Sequence, residues 1–103
     1  MNAGDLEHIL LFKGPVYNFD EAGASITTYE DRFMLRAKMV ENSQENQSSD
    51  SGTRSIQKYT FQTRFKPVAY DYHVILYGKP HEIENIEVIG RRKGLNITVK
   101  EIK

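Results

Sequence analysis

The stretch that decides the fold class is KYTFQTRFK, residues 58–66. Every second position holds an aromatic or β-branched residue, namely Tyr59, Phe61, Thr63 and Phe65, and polar or basic residues fill the positions between them. A period of two arises in a β-strand when one face packs on a core and the other meets solvent. Aromatic and β-branched side chains are also enriched in strands. Because Pro67 ends the run, the pattern predicts one half-buried strand.

Four other runs have strand character. Residues 8–12 and 72–77 are short runs with apolar side chains on both faces, and the first ends at Gly14-Pro15. Residues 33–39 and 95–99 alternate apolar with polar side chains. Counting weaker runs, the chain holds six or seven strands and no amphipathic helical pattern. We therefore predict an all-β fold, a small antiparallel β-barrel or sandwich of six to seven strands with one long polar loop.

Composition limits the size and class of the protein. The 103 residues allow one domain, residues 1–103, with a single modest core. The chain has no cysteine, which removes disulfides and thiolate metal sites and fits a reducing compartment. Asp5 and Glu7 precede a short apolar run, unlike a secretory signal, and no stretch is long enough to span a bilayer. We therefore expect an intracellular protein without a membrane partner.

The charges are balanced overall but uneven along the chain. Residues 1–50 hold nine acidic and four basic side chains, a net of minus five, and residues 51–103 hold five acidic and ten basic, a net of plus five. In a β-fold the two halves can interleave and cancel. Otherwise the protomer is bipolar and suited to head-to-tail contacts with copies of itself.

The segment ENSQENQSSDSGTRS, residues 41–55, contains no large apolar side chain. Such a segment buries too little surface to offset its ordering entropy, so its composition predicts a mobile loop in the free protein. Long loops are either functional or tolerated surface excursions, and both interpretations stay open. The residues of a functional loop would be Asn42, Ser43, Gln44, Glu45, Asn46, Gln47, Ser48, Ser49, Asp50, Ser51 and Gly52.

Two hairpin turns are indicated near the end of the chain. Gly78-Lys79 suits a two-residue turn of type II′, with glycine first. The stretch GRRKG, residues 90–94, places three cations between glycines and predicts an exposed hairpin tip. Three interpretations of this tip stay open. It makes charged contacts with a neighbouring ring or protomer, it is a solvated basic turn, or it lines a channel. The candidate contact residues are Arg91, Arg92, Lys93, Arg64 and Lys66.

The three histidines do not form a convincing catalytic or metal site. Asp71 and His73 are two residues apart, but His81 lies several residues further along, and no third ligand has a defined spacing. We interpret the histidines as edge or surface residues. No nucleophile elbow, phosphate loop or triad order is present. We therefore predict that the protein is not an enzyme and has no cofactor.

Binding of single-stranded nucleic acid is an alternative. The second half interleaves aromatic rings with cations, the material of a stacking surface on a small barrel, at Tyr59, Phe61, Arg64, Phe65, Lys66, Tyr70 and Tyr72. A stacking platform needs rings and cations on one face. The alternation instead places rings and charges on opposite faces, which is the pattern of core and solvent.

An ordered series of landmarks spans nearly the whole chain, roughly residues 4–101. It consists of Gly4, Leu6, Asp20, Gly23, Thr28, Tyr29, Glu30, Asp31, Ala37, Phe61, Arg64, Asp71, Gly78, Ile83, Glu84, Ile86, Gly90, Arg91, Arg92 and Leu95. In this order the landmarks resemble the head-tail joining proteins of tailed bacteriophages, the head-closure or stopper family.

The resemblance implies a structural role. It implies a small β-barrel that forms a homo-oligomeric ring of six or twelve copies below the portal and its adaptor. The ring would retain packaged double-stranded DNA without sequence specificity and dock the tail, at the head-tail interface of a virion assembled in the host cytoplasm. A tail-side completion protein of similar fold is a further alternative.

Overall fold

The computed structural model describes residues 8–49 and 52–102, and this part of the chain is all-β. Six antiparallel strands form one sheet that closes on itself in the order β1-β2-β3-β6-β5-β4, which confirms the predicted fold class. The strands are β1 His8–Phe19, β2 Ser25–Ser49, β3 Gly52–Arg64, β4 His73–Leu76, β5 Lys79–Ile89 and β6 Gly94–Glu101. A short ladder between β1 and β4, at Leu11↔Ile75 and its neighbours, closes the ring.

The core lies inside the closed sheet and collects alternate residues from every strand. Phe61, the central ring of the strand in residues 58–66, has no exposed surface, so that strand prediction is confirmed. Burial of each large apolar side chain stabilises the fold by about 1.5–3 kcal/mol. The buried core residues are Leu10, Phe12, Ala37, Phe61, Val74, Leu76, Ile83, Leu95, Ile97 and Val99.

The segment predicted as a mobile polar loop is instead strand wherever the structure describes it. β2 continues to Ser49 and β3 starts at Gly52, and the two strands pair through Glu45↔Ile56 to Ser49↔Gly52. The prediction of an irregular loop over 41–55 is therefore wrong for the described residues. Backbone pairing in a hairpin satisfies the N–H and C=O groups that face between its two strands and needs no apolar side chains, so a polar composition does not exclude strands here.

Two hairpins project beyond the closed sheet. The β1–β2 arm, residues 14–31, pairs only β1 with β2, and the β2–β3 arm, residues 42–57, pairs only β2 with β3. The Cα radius of gyration of 15.6 Å therefore exceeds the value of about 13 Å usual for this length. The prediction that the first strand ends at Gly14-Pro15 is wrong, because β1 there has one neighbour and tolerates proline.

The turns follow from backbone geometry. Asp20 accepts a hydrogen bond from the Ala24 N–H at 2.8 Å through its carboxylate, and Gly23 has φ +84°, as the acidic turn signal predicts. Between β4 and β5, Leu76 pairs with Lys79, so the central turn residues are Tyr77 and Gly78. Their φ values of 53° and 74° are those of a type I′ turn, and not of the predicted type II′ turn at Gly78-Lys79.

Candidate functional site

Two surfaces hold the residues that the sequence singles out, and they lie at opposite ends of β3. The β2–β3 arm contains the first residues of β3, and Arg64 is the last residue of β3. With 13 residues in β3, a rise of about 3.3 Å per residue separates the tip of the arm from Arg64 by roughly 40 Å. The structure therefore separates the candidate loop residues from the candidate cationic contacts.

The five cationic candidates lie together at one end of the closed sheet. Arg64 pairs in register with Gly94, which brings the end of β3 beside the β5–β6 turn that carries residues 91–93. All five side chains are exposed. We call Arg64, Lys66, Arg91, Arg92 and Lys93 the basic cluster.

Aromatic rings support two members of the basic cluster. The guanidinium of Arg92 lies 5.7 Å from the ring centroid of Phe65, and the ammonium of Lys66 lies 4.6 Å from that of Phe33. Each such contact contributes about 0.5–1 kcal/mol at an exposed site. Within residues 8–49 and 52–102, no carboxylate forms an ion pair with the cluster. Its positive charge is therefore available to an acidic partner.

The turn that carries the cluster confirms the predicted hairpin tip. The Lys93 N–H donates to the Ile89 carbonyl at 3.1 Å, which closes the tip between β5 and β6. Gly90 and Arg92 both have positive φ, at 59° and 58°. Glycine adopts this conformation without cost, whereas at Arg92 it is uncommon.

One face of the β2–β3 arm is polar and carries no formal charge. Side chains two residues apart along a strand lie on the same face, and so do the side chains of directly paired residues on the two strands. Seven described side chains therefore belong to this polar face. Ser55 donates to the Asn46 side chain at 3.0 Å, and the Gln57 amide donates to the Asn42 side chain and to the Ser43 carbonyl. We call this set the amide face: Asn42, Gln44, Asn46, Ser48, Thr53, Ser55 and Gln57.

The opposite face of this arm is charged and is tied to the closed sheet. Lys58 lies 2.8 Å from both the Glu45 and the Glu84 carboxylates. The hydrogen bond and charge of Lys58 lower the pKa of Glu45, and both carboxylates raise the pKa of Lys58. Glu45 therefore belongs to a salt-bridge network and not to the amide face.

Some candidate residues lie beyond the described side chains. The side chains of Gln47 and Ser49 are outside the described ones, and their backbones pair with Arg54 and Gly52. Asp50 and Ser51 lie outside the described residues.

One histidine is not the edge or surface residue that the sequence predicted. His81 is buried, with 2% of its surface exposed, and its Nδ1 lies 3.0 Å from the Lys79 carbonyl oxygen. His73 stacks on Tyr29 at 3.9 Å between centroids, and partial burial lowers its pKa, partly offset by Glu82. In the described ranges, no three acidic, histidine or cysteine side chains form a group that could hold a metal ion.

An exposed aromatic surface on the β1–β2 arm was not predicted from the sequence. Tyr17 and Phe19 are 68% and 75% exposed, on the side of the arm that also carries Tyr29. Tyr17 donates a long hydrogen bond of 3.4 Å to Asp71. The signal was the alternation within residues 15–19, which the expected end of the strand at Gly14-Pro15 concealed.

A stacking platform for single-stranded nucleic acid is not favoured by the geometry. Phe61 has no exposed surface, and Tyr59 packs within the sheet beside His81 at 5.9 Å between ring centroids. Bases stack on exposed rings that share a face with cations. Here these two rings of the strand point inwards and its cations point outwards.

Comparison with known proteins identifies the family. The family model described as phage head completion protein matches residues 1–102. The chain belongs to this family. Membership confirms the resemblance to phage head-tail joining proteins and gives this family member a structural role at the head-tail connection of a virion. No curated protein matches the chain.

A solved structure shares the fold of this family member. A chain of the "Virion of native gene transfer agent (GTA) particle" superposes with a TM-score of 0.73 at 16% sequence identity. The match covers 93% of this chain and 94% of that chain. At this identity the likeness establishes the fold. In residues 8–49 and 52–102, no helix is long and apolar enough to cross a membrane.

Proposed function

We propose that the protein forms a homo-oligomeric ring of six or twelve copies below the portal or adaptor, where it retains packaged double-stranded DNA and docks the tail. The observation that carries this proposal is the β2–β3 arm, which leaves the closed sheet and presents a face without formal charge. The ring would assemble in the host cytoplasm and join the head-tail interface without a cofactor.

The uncharged amide face suits a channel through which DNA must later pass. Each lysine or arginine that neutralises a phosphate releases counterions and adds to affinity. A ring of six or twelve cationic arms would sum those contacts and hold the DNA too tightly for release. Amides and hydroxyls still donate hydrogen bonds to phosphate oxygens, so the amide face obstructs the DNA without clamping it.

The arms are incomplete as isolated elements. Each is a two-stranded ribbon whose outer edges have no neighbouring strand among the described residues. Unpaired strand edges readily add a further strand, so neighbouring copies or virion proteins are their natural partners. The ring supplies such neighbours at a fixed spacing.

The basic cluster serves a second contact, with an acidic surface of a neighbouring ring or the next copy. Its five exposed cations have no described acidic partner and lie far from the arm. Charges at the rim of an interface set the encounter rate and the register more than the affinity. The cluster therefore directs docking between rings, and the amide face meets the DNA.

Shortening the arm tests DNA retention. Asn46 pairs with Ser55, so replacing residues 46–55 with Asn-Gly keeps the register and leaves Glu45, Ile56 and the Lys58 network in place. Heads completed with this variant should contain the protein but lose DNA, measured as DNA per particle after gradient purification.

The matched control keeps the arm and changes its amides. Gln44→Ser with Asn46→Ser preserves length and neutrality, so heads with this variant should retain their DNA. Full DNA content in heads that contain the shortened variant would contradict the proposed retention role.

A further inference from the structure

The outer surface of β2 is cationic. Arg36 and Lys38 flank Ala37, which is fully buried, so both side chains point away from the core. Both are exposed, and neither forms an ion pair within the described part of the chain. Apolar side chains lie beside them, because Ile9 pairs with Arg36 and is 60% exposed, and Met34 is 66% exposed. We call Ile9, Met34, Arg36 and Lys38 the β2 face.

The outer surface of β5 is acidic. Glu82, Glu84 and Glu87 are exposed, and Glu45 from the β2–β3 arm joins them through Lys58. The nearby cations are Lys58 and Lys100, the latter 3.2 Å from Glu82. Together, these four carboxylates and two ammonium groups give the surface around β5 a net charge of minus two, opposite in sign to the plus two of Arg36 and Lys38. We call Glu82, Glu84 and Glu87 the β5 face.

The two faces lie on opposite sides of the protomer. In the closed order β1-β2-β3-β6-β5-β4, two strands separate β2 from β5 in either direction. Their charges therefore do not meet within one copy. They meet when two copies align side by side in the same orientation, with the β2 face of one copy against the β5 face of the next.

We propose that the β2 face of each copy docks on the β5 face of its neighbour, and that this contact builds the ring. The inference rests on the proposed ring and adds which surfaces join. A contact between two different faces leaves one free face at each end of a growing chain of copies, so it ends when a ring closes. The exposed Ile9 and Met34 supply apolar area at the contact, and the opposite charges fix its register.

Charge reversal separates this contact from other uses of the same faces. One variant carries Arg36→Glu with Lys38→Glu, a second carries Glu84→Lys with Glu87→Lys, and a third carries all four substitutions. The first two variants place like charges against each other in a ring of identical copies, whereas the third restores opposite charges.

The readout is the number of copies in purified virions, measured by quantitative blotting after each variant complements a virus that lacks the wild-type chain. For each two-residue variant, the number of copies per virion should fall by about tenfold or more, because like charges face each other at every contact. The four-residue variant should return to within about twofold of wild type, since it restores the pairing. Supplying the two-residue variants together should also restore incorporation, because alternating copies pair at every contact in a ring with an even number of copies.

Each variant needs a folding control and a pairing control. Far-UV circular dichroism and urea unfolding establish that each variant folds, and the four-residue variant serves as the matched control for the substitutions. Wild-type incorporation of both two-residue variants would overturn the inference and leave the proposed ring intact. The inference would also be overturned if the variant with Arg36→Glu and Lys38→Glu lost incorporation and the four-residue variant did not restore it. A different virion protein would then cover the β2 face. Heads that keep their DNA and join tails without the wild-type chain would contradict the proposed function itself.

Discussion

The closed sheet and the β2–β3 arm are built from the same two strands in different ways. Within the closed sheet, β3 packs Phe61 against a shared core and pairs with both β2 and β6. On the N-terminal side of Lys58, β3 pairs with β2 alone among the described residues, and one face of this hairpin consists of amides and hydroxyls. Core burial therefore stabilises the sheet, whereas Ile56 is the only buried side chain among those described in the arm, so we expect the arm to contribute less to stability.

The largest effect on stability is expected from truncating the core. Phe61→Ala removes a ring that has no exposed surface, which should lower the free energy of unfolding by about 3–5 kcal/mol. Urea unfolding followed by circular dichroism measures the loss. The shortened arm is the comparison, since replacing residues 46–55 should cost less than about 1 kcal/mol. Similar losses for both variants would show that the arm belongs to the cooperative unit.

A smaller effect is expected at the turn between β4 and β5. Gly78 has φ +74°, so Gly78→Ala should lower the free energy of unfolding by about 1–2 kcal/mol through backbone strain. The space around its missing side chain is open, so no steric clash adds to the cost. Gly78→Asn should recover part of the loss, because asparagine tolerates this conformation. Equal losses for alanine and asparagine would contradict the strain argument.

The smallest effect on stability is expected at the basic cluster. Arg91→Ala with Arg92→Ala should lower the free energy of unfolding by no more than about 1 kcal/mol, including the loss of the Arg92 contact with Phe65. The same variant should reduce the joining of heads to tails, measured as the ratio of joined to free particles. Lys79→Ala, an exposed cation at the other end of the sheet, is the matched control. Normal joining with the double variant would reject the docking contact.

The strands of the closed sheet could be predicted because their signal is local. In residues 58–66 and 95–99, the alternation records which side chains face the core. The β2–β3 arm lacked that signal. Residues 42–49 pair through the backbone without burying side chains, so their composition resembled a disordered segment.

The surfaces depended on non-local pairing and could be predicted only in part. The glycines around residues 91–93 indicated an exposed tip, but the approach of Arg64 depends on its pairing with Gly94 in β6. The opposed β2 and β5 faces follow from the strand order, which no local pattern contains. The uneven charge along the chain is visible in the sequence, but the strand order determines where that charge lies.

The most direct test of the central claim is to place cations on the amide face. Gln44→Lys with Asn46→Lys adds two phosphate contacts per arm, and Ser43→Lys adds one on the opposite face as a control. If the amide face meets the DNA, virions with the first variant should eject DNA more slowly than wild type, and the delay should shrink as salt is raised. The control should eject at the wild-type rate. Equal ejection rates for all three proteins, at every salt concentration, would contradict the claim that this arm lies against the packaged DNA.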